Sequence, residues 1–516
     1  MKYIRGALRV IFGRTTFAII ALAIQVGLLF NSFRFLSQYM IFFYGGFSVL
    51  SALIIIYIIN KEENPSFKLA WMVPITLIPV FGLLFYIFVE LQILEKLINK
   101  RLKVNIANTE CYMEQSVPVM ERLGKISRNN ANLAHYIKSS GHYPTYAKTN
   151  VQYFSIGETM YEEMKKELLN AKRFIFMEFF IVEAGEMWDS VLEILEQKVS
   201  EGVEVRFMYD GMCSLTLLPY HYPRELEAKG LKAKMFSPIR PILTTYQNNR
   251  DHRKIVVIDG HTAFTGGINL ADEYINRKVR FGHWKDTGIM LKGDAVTSFT
   301  MMFLQMWNIS EKEPEDYSRY LRDPDFFYPP ELPMEGFVIP YGDSPLDDEA
   351  VGKKVYLDII NSARYYVHIM TPYLILDYEM TQALTYAAKR GVETIIIMPH
   401  IPDKVYAFLL AKSHYQELIK AGVQIYEYTP GFVHAKSFTS DNVKAVVGTI
   451  NLDYRSLYLH FECAVYIYRN DVIKDIERDF QETLQQSQFI TLEDCKNYPW
   501  YKRFAGRVLK IFAPLM

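Results

Sequence analysis

The sequence predicts an α/β protein built from two similar lobes, each a sheet flanked by helices, preceded by N-terminal membrane helices. Three observations predict this class: an internal repeat, alternating helical patterns and apolar strands within it, and long uncharged runs before it. At roughly 100–200 residues per domain, a chain of 516 residues has room for more than one core. The 57 basic and 57 acidic residues balance, which argues against a general nucleic-acid binder.

The N-terminal part of the chain contains three runs without a charged residue, at residues 15–33, 35–60 and 69–89. An apolar helix of about 20 residues spans the hydrocarbon core of a bilayer, so each run is predicted to be a membrane-anchoring helix. The first run carries Gln25 and the third contains two prolines and a glycine, which can bend a helix into a re-entrant or interfacial shape. Lysine and arginine lie before the first run and after the third, so the number of complete crossings stays open.

An internal repeat begins near Val151 and again near Val338. Each copy opens with a helical pattern that leads into an apolar strand, followed by a helix, a glycine and a second strand. Residues 202–208 of the first copy match residues 391–398 of the second. Helices alternating with apolar strands predict α/β layers around a largely buried sheet. The predicted divisions are 1–103 for the membrane-anchoring segments, 104–310 for the first lobe with its lead-in, 311–333 for a linker, 334–490 for the second lobe and 491–516 for a C-terminal tail.

Each copy carries the motif H-x-K-x-x-x-x-D, followed at the same distance by an asparagine. Residues two apart in a strand point to the same side, so each histidine is predicted to project together with its lysine. Each motif aspartate begins a pair, Asp259-Gly260 or Asp441-Asn442, that suits a tight hairpin turn. One such motif arises readily by chance, whereas two copies with one spacing predict a functional site. The residues concerned are His252, Lys254, Asp259, Asn269, His434, Lys436, Asp441 and Asn451.

These residue types predict phosphodiester chemistry. Two lysines supply positive charge for phosphate oxygens, and two asparagines supply amide donors. A neutral imidazole can attack phosphorus and a protonated one can give its proton to the leaving oxygen, so two histidines can divide the tasks. The sequence contains no Walker-type loop, no clustered metal ligands and no C-x-x-C pair. Neither a nucleotide, nor a metal, nor another cofactor is therefore predicted.

The duplicated motif resembles that of the phospholipase D superfamily. Five further segments narrow the resemblance to the bacterial cardiolipin synthases, and the resemblance covers nearly the whole chain. It implies two phospholipase D-like lobes that form one active site. The chain departs from many such synthases in its extra first hydrophobic run. The five segments are residues 64–71, 209–211, 284–286, 371–373 and 513–516.

The resemblance implies that two phosphatidylglycerol molecules react to give cardiolipin and glycerol. One histidine first receives the phosphatidyl group as a covalent phosphatidyl-histidine, and a hydroxyl of the second lipid then attacks it. By the pattern of the superfamily, His252 is the nucleophile and His434 the acid and base.

The superfamily pattern also separates the acidic residues into two kinds. Asp259 and Asp441 belong to the catalytic motif, but their implied task is structural. A carboxylate further downstream orients each histidine, and the matching positions are Asp286 and Glu462. Such a carboxylate binds one ring nitrogen and leaves the other free to react.

The implied partners are phosphatidylglycerol and the lipid bilayer, without nucleic acid. The implied location is a bacterial cell membrane, with the catalytic lobes facing the cytoplasm. Water and other alcohols attack the same kind of intermediate, so a phospholipase D or a phosphatidyltransferase with another acceptor stays open. An inactive membrane scaffold is a further alternative, although both motifs are intact. The oligomeric state and the acyl-chain preference also stay open.

Overall fold

Two mixed sheets, one for each copy of the repeat, form the body of the chain in this computed structural model. Helices flank both sheets, which confirms the predicted α/β class. The structure describes residues 27, 31, 40–90, 93–238, 248–311, 313, 315–323, 336–347 and 349–515.

Helices lead into the first sheet, and the first three of them pack against one another around Ile58, Ile75 and Tyr86. In the part of the chain that the structure describes, no helix has both the length and the apolar character needed to cross a membrane. The predicted run 15–33 lies outside the described residues, apart from residues 27 and 31. These helices are α1 (Met40–Asn60), α2 (Pro65–Leu77), α3 (Pro79–Glu90), α4 (Ile93–Thr109), α5 (Val117–Ile126) and α6 (Arg128–Gly141).

The third uncharged run is divided between α2 and α3, as its prolines and glycine indicated. Asn64 caps the start of α2, because its side chain accepts the backbone N–H of Ser66 at 2.9 Å. Gly82 lies directly against the carbonyl of Pro74, where a Cβ atom would overlap the backbone. The glycine therefore permits the two helices to cross closely.

The first copy of the repeat forms a seven-stranded sheet in the order β1-β9-β7-β6-β2-β3-β4. β2, β3 and β4 are parallel, and the remaining pairs are antiparallel. The strands of this copy, of which β5 and β8 lie outside the seven-stranded sheet, are β1 (Thr149–Phe154), β2 (Phe174–Phe179), β3 (Glu204–Asp210), β4 (Lys232–Phe236), β5 (Arg250–Asp251), β6 (Ile255–Ile258), β7 (Thr262–Gly266), β8 (His283–Lys285) and β9 (Gly288–Gly293). Its helices are α7 (Gly157–Leu169), α8 (Glu186–Ser200), α9 (Cys213–Thr216), α10 (Tyr222–Ala228) and α11 (Val296–Trp307).

The second copy forms a sheet in the order β10-β17-β16-β15-β11-β12-β13-β18. Again three strands, β11, β12 and β13, are parallel. Its strands are β10 (Phe337–Asp343), β11 (Tyr366–Met370), β12 (Glu393–Pro399), β13 (Gln424–Tyr428), β14 (Gly431–Val433), β15 (Ser437–Ser440), β16 (Lys444–Gly448), β17 (His460–Tyr468) and β18 (Ser487–Ile490). The helices of this lobe and the tail are α12 (Val351–Ser362), α13 (Tyr378–Lys389), α14 (Val405–Lys420), α15 (Val472–Gln485), α16 (Leu492–Asn497) and α17 (Trp500–Phe512).

Each lobe lends one short strand to the other. β5 of the first lobe pairs in parallel with β17 of the second, and β14 of the second lobe pairs in parallel with β8 of the first. One large apolar core includes residues of both sheets and nearly all of the buried helix α11. The two lobes are thus joined by hydrogen bonds and by a common core.

Candidate active site

Each motif lies just after a short strand that pairs with the other lobe, β5 or β14, and just before a strand of its own sheet, β6 or β15. His252 follows β5, and its backbone N–H donates to the carbonyl of Phe461 at 2.9 Å. His434 follows β14, and its N–H donates to the carbonyl of Lys285 at 2.7 Å. The prediction that each H-x-K lies within a strand is wrong, since both occupy the connections before β6 and β15. The reason is that the chain changes sheets at these points.

A buried carboxylate from the opposite lobe binds each motif histidine. The Nδ1 atom of His252 lies 2.9 and 3.0 Å from the two carboxylate oxygens of Glu462. The Nδ1 atom of His434 lies 2.6 Å from Oδ2 of Asp286. Both carboxylates are completely buried. Each downstream carboxylate therefore contacts the histidine of the other copy, and with Nδ1 bound, Nε2 is the ring nitrogen left for chemistry.

Both motif lysines fold back over their own histidines. Lys254 Nζ donates to the carbonyl of His252 at 2.5 Å. Lys436 Nζ lies 2.9 Å from Nδ1 of His434 and also donates to the carbonyl of that residue. Both lysines are buried. The fold thus gathers two ammonium groups and two imidazoles in one enclosed place.

Burial sets the protonation of this site. It lowers the pKa of His434 to about 4, with help from the charge of Lys436. It lowers the pKa of His252 well below its usual range, with Lys254 as the next cause. Burial also lowers the pKa of Lys254 to about 8 and that of Lys436 to about 7, while it raises that of Glu462 well above its ordinary value. An anion that enters the site offsets these costs and favours the charged forms of the bases.

The motif aspartates lie away from the imidazoles and hold the ends of strands. Asp259 accepts backbone N–H bonds at 2.8 Å from each of residues 172–174. Asp441 accepts the equivalent bonds at 2.8–3.0 Å from residues 364–366. Both aspartates have positive φ and begin the hairpin turns after β6 and β15. These hydrogen bonds indicate that both aspartates support the backbone of their own lobe.

The two asparagines are buried, and each donates one amide hydrogen to a residue of its own lobe. Asn269 donates to the hydroxyl of Tyr274 at 2.8 Å, and Asn451 donates to Ser456 Oγ at 3.1 Å. Asn269 Oδ1 also accepts the backbone N–H of Ile181 at 3.0 Å. An amide nitrogen carries two hydrogens, so a second donor remains on each residue. Phosphate binding by the asparagines stays a prediction.

His460 and Trp284 occupy equivalent positions two residues before the carboxylates; from the sequence, a structural role is favoured over substrate contact for His460, and Trp284 is assigned no separate role. The His460 ring lies 5.4 Å from that of His252, and the Trp284 ring lies 5.3 Å from that of His434. Their ring nitrogens are buried without a hydrogen-bond partner among the described residues. Aligning the two copies around their carboxylates would have revealed the pair.

The fold also brings together a group that could hold a metal ion. Ligand atoms of His252, His460 and Glu462 lie within 4.8 Å of one another. The sequence itself shows no cluster of metal ligands here, because His252 is far along the chain from the other two residues.

Two histidine–lysine pairs, one from each lobe, that meet in one buried site define the phospholipase D class of enzymes. A family model described as "Cardiolipin synthase, PLD-like domain" matches residues 164–307 and 356–484. A second model, for the phospholipase D-nuclease N-terminal region, matches residues 49–89. The chain belongs to the family of bacterial cardiolipin synthases.

Individual proteins agree with this assignment. A cardiolipin synthase of Geobacillus kaustophilus is 33% identical over 480 residues, which cover 92% of this chain and 94% of that protein. A Streptococcus mutans protein described as uncharacterized is 50% identical over 462 residues, covering 90% of this chain and 99% of that protein. The crystal structure of a phosphatidylserine synthase from Haemophilus influenzae matches with a TM-score of 0.56 at 14% identity, covering 74% of this chain and 98% of that one, and shows a common fold. The predicted family and the predicted enzyme class, a phosphatidyltransferase acting on phospholipids, are confirmed.

Proposed function

We propose that this protein joins two phosphatidylglycerol molecules to give cardiolipin and glycerol. The observation that carries the proposal is the pair of crossed contacts, His252 with Glu462 and His434 with Asp286, inside one buried site. Membership of the cardiolipin synthase family supplies the substrate class. Lys254 and Lys436 supply the charge that receives the phosphodiester, since both lie against the motif histidines.

In the first step, Nε2 of His252 attacks phosphorus and a P–N bond forms. The bond from phosphorus to the headgroup glycerol breaks, and His434 gives its proton to the departing oxygen. The phosphodiester anion lies between the two lysines and raises the pKa of His434, so that this histidine holds a proton when substrate is bound. The products of this step are glycerol and a phosphatidyl group on His252.

In the second step, a headgroup hydroxyl of another phosphatidylglycerol gives its proton to His434. The hydroxyl oxygen attacks phosphorus, the P–N bond breaks, and cardiolipin leaves. His252 and His434 return to their starting protonation states, so the cycle consumes no net proton. Free amide hydrogens of Asn269 and Asn451 hold the phosphate oxygens through both steps.

The proposed cycle needs no metal and no other cofactor, because the histidines move the protons and the lysines balance the phosphate charge. We expect activity to survive EDTA. Complete loss that only one added transition metal restores would contradict the mechanism and would point to His252, His460 and Glu462 as ligands.

The proposed location is a bacterial cell membrane, with the catalytic lobes on the cytoplasmic side. Support comes from the uncharged runs 35–60 and 69–89 and from basic residues on both sides of the hydrophobic region. The matched N-terminal family model covers residues 49–60 of the first of these runs and all of the second.

Product analysis with pure phosphatidylglycerol tests the reaction. We expect cardiolipin and glycerol in equal amounts from the wild-type protein, and neither from His252→Ala. His135→Ala, which changes an exposed histidine, serves as the matched control. Phosphatidic acid as the main product would identify a phospholipase D. A product only after addition of another alcohol would identify a different acceptor, and no product at all would favour the inactive scaffold.

A further inference from the structure

The C-terminal helix α17 exposes a continuous apolar face. Residues four apart along a helix lie on one side, and Trp500, Phe504 and Val508 follow this spacing. Large apolar side chains of this kind usually occupy a protein core or an interface. The exposed fractions are Trp500 73%, Tyr501 57%, Phe504 63%, Val508 39%, Ile511 49% and Phe512 43%.

The opposite face of α17 is firmly packed, so the orientation of the helix is fixed. Gly506 lies against the backbone carbonyl of Leu409 in α14, where a Cβ atom would overlap that oxygen. Leu509 and the buried Ala513 pack into a small apolar cluster that also contains Leu410. A helix that is apolar on both sides requires a second apolar surface on its exposed side.

The charge on α17 is entirely positive. The helix contains Lys502, Arg503, Arg507 and Lys510 and no acidic residue. Basic side chains beside an apolar stripe are typical of helices that lie in the interface of an anionic bilayer.

The C-terminal segment also packs against α2, one of the N-terminal hydrophobic helices. The turn that follows α17, residues 513–515, contacts α2. Phe67 of α2 packs in the same apolar cluster as Leu509, together with Tyr373 and Tyr454 of the second lobe. α2 itself exposes further large apolar residues, among them Leu69 at 61% and Leu77 at 75%.

We propose that α17 docks on a bilayer that contains anionic phospholipid. Its apolar stripe enters the boundary between headgroups and acyl chains, and its lysines and arginines lie among the anionic headgroups. Together with α2, it forms a lipid-facing platform beside the second catalytic lobe. This docking does not depend on which reaction the site performs.

Fluorescence quenching tests the depth of the helix. Full-length Trp71→Phe protein in nanodiscs of phosphatidylglycerol keeps Trp500, while its other tryptophans, at positions 188, 284 and 307, are buried. We expect brominated acyl chains to quench the emission of this protein. Adding Trp500→Phe should abolish that quenching. Equal emission of Trp500 in brominated and ordinary lipid would overturn the proposal, and would mean that residues 1–39 or a second copy of the chain cover the face.

Interfacial kinetics give a second test. The triple variant Phe504→Ser, Val508→Ser, Ile511→Ser should raise the half-saturating concentration of vesicular phosphatidylglycerol about tenfold, because each exposed apolar side chain contributes to bilayer binding. Activity on short-chain, monomeric phosphatidylglycerol should not change. Val117→Ser with Val279→Ser is the matched control, since these valines are 66% and 77% exposed on other surfaces.

The outcomes of the kinetic test separate the docking from the reaction. Equal kinetics of the triple variant and the control on vesicles would overturn the docking of α17. Loss of activity on monomeric lipid as well would mean that the triple variant damages the fold, and the quenching measurement then decides. A wild-type protein that forms no cardiolipin but shows quenched Trp500 would leave the docking intact and would refute the proposed reaction.

Discussion

Both halves of the active site contain a contact between a histidine and a carboxylate, but different residues surround it in each half. His252 faces Glu462, whose carboxylate also accepts the hydroxyl hydrogen of Thr449. His434 faces Asp286, and the position equivalent to Thr449 is Gly267, where a Cβ atom would overlap that carboxylate. One half thus combines the longer acid, Glu462, with a threonine. The other half combines the shorter acid, Asp286, with a glycine. The repeat conserves the histidine–carboxylate contact while the surrounding volume is divided differently.

The neighbours of the two imidazoles also differ. Trp284, Tyr274 and Phe432 surround His434 with ring centroids 5.3–5.8 Å from its own. His252 has Phe180 at 4.9 Å and the third histidine, His460, at 5.4 Å. Aromatic faces attract a cation, which favours an imidazolium at His434. After burial and the charge of Lys254, the neighbouring His460 further lowers the pKa of His252. The comparison supports His252 as the nucleophile and His434 as the proton carrier.

The largest expected effect comes from separating the two histidines. A lipid with a p-nitrophenyl headgroup needs no proton on its leaving oxygen, so its first step bypasses His434. We expect His434→Ala to release one equivalent of nitrophenol and to accumulate an acid-labile, alkali-stable phosphatidyl group on His252. His252→Ala should show no burst and should turn over at least about 10³-fold more slowly than the wild type. The reverse pattern would exchange the two roles, and an alkali-labile adduct at another residue would refute the histidine mechanism.

The crossed pairing gives the next largest effect. Glu462→Gln should slow the nitrophenol burst by about 10²-fold or more, because the carboxylate that orients His252 is lost. Asp286→Asn should leave the burst nearly unchanged and slow the later transfer to phosphatidylglycerol. Rapid-quench measurement of both phases distinguishes the two variants. A slow burst in Asp286→Asn and a normal one in Glu462→Gln would mean that each carboxylate serves its own lobe.

A smaller effect is expected at the residues beside the carboxylates. Thr449→Val removes the hydroxyl donated to Glu462 and should lower kcat about tenfold, since a hydrogen bond to a charged group contributes about 1.5–3 kcal/mol. Gly267→Ala should cost more, because the added methyl group overlaps Asp286 and displaces it. Thr265→Val, a buried threonine outside these contacts with the carboxylates, is a control for the loss of a hydroxyl. Equal activities of all three variants would show that neither carboxylate depends on this support.

The smallest expected effect is a fall of kcat/KM at alkaline pH, which follows the loss of a proton from the two lysines. Each lysine carries its charge below its pKa, which burial lowers to about 7 for Lys436 and to about 8 for Lys254. kcat/KM, which reflects the free enzyme, should therefore fall as pH rises from 7 to 8. Lys436→Arg keeps a permanent charge and should move this fall toward pH 8. A profile that stays flat up to pH 9 would mean that both lysines are fully charged in the free enzyme.

The sequence predicted more of the fold than of the contacts within the site. The repeat and its motifs indicated two α/β lobes, and both sheets are present. The sequence does not show which histidine each carboxylate contacts, because the pairing of β5 and β14 with the other lobe has no signature in the sequence of either copy. Asp286 and Glu462 follow the histidines of their own copies in the chain but contact those of the other copy. Pairing of this kind depends on how the lobes meet in space, and local pattern carries no information about it.

The exchanged strands also decide when the enzyme becomes able to react. During synthesis the first lobe leaves the ribosome before the second, and domains generally fold in that order. At that stage β5 has no β17 to pair with, and His252 has no Glu462 to hold its ring. We therefore expect the nascent first lobe to lie beside membrane lipid without cleaving it. We expect reactivity to begin only when β17 of the second lobe is in place.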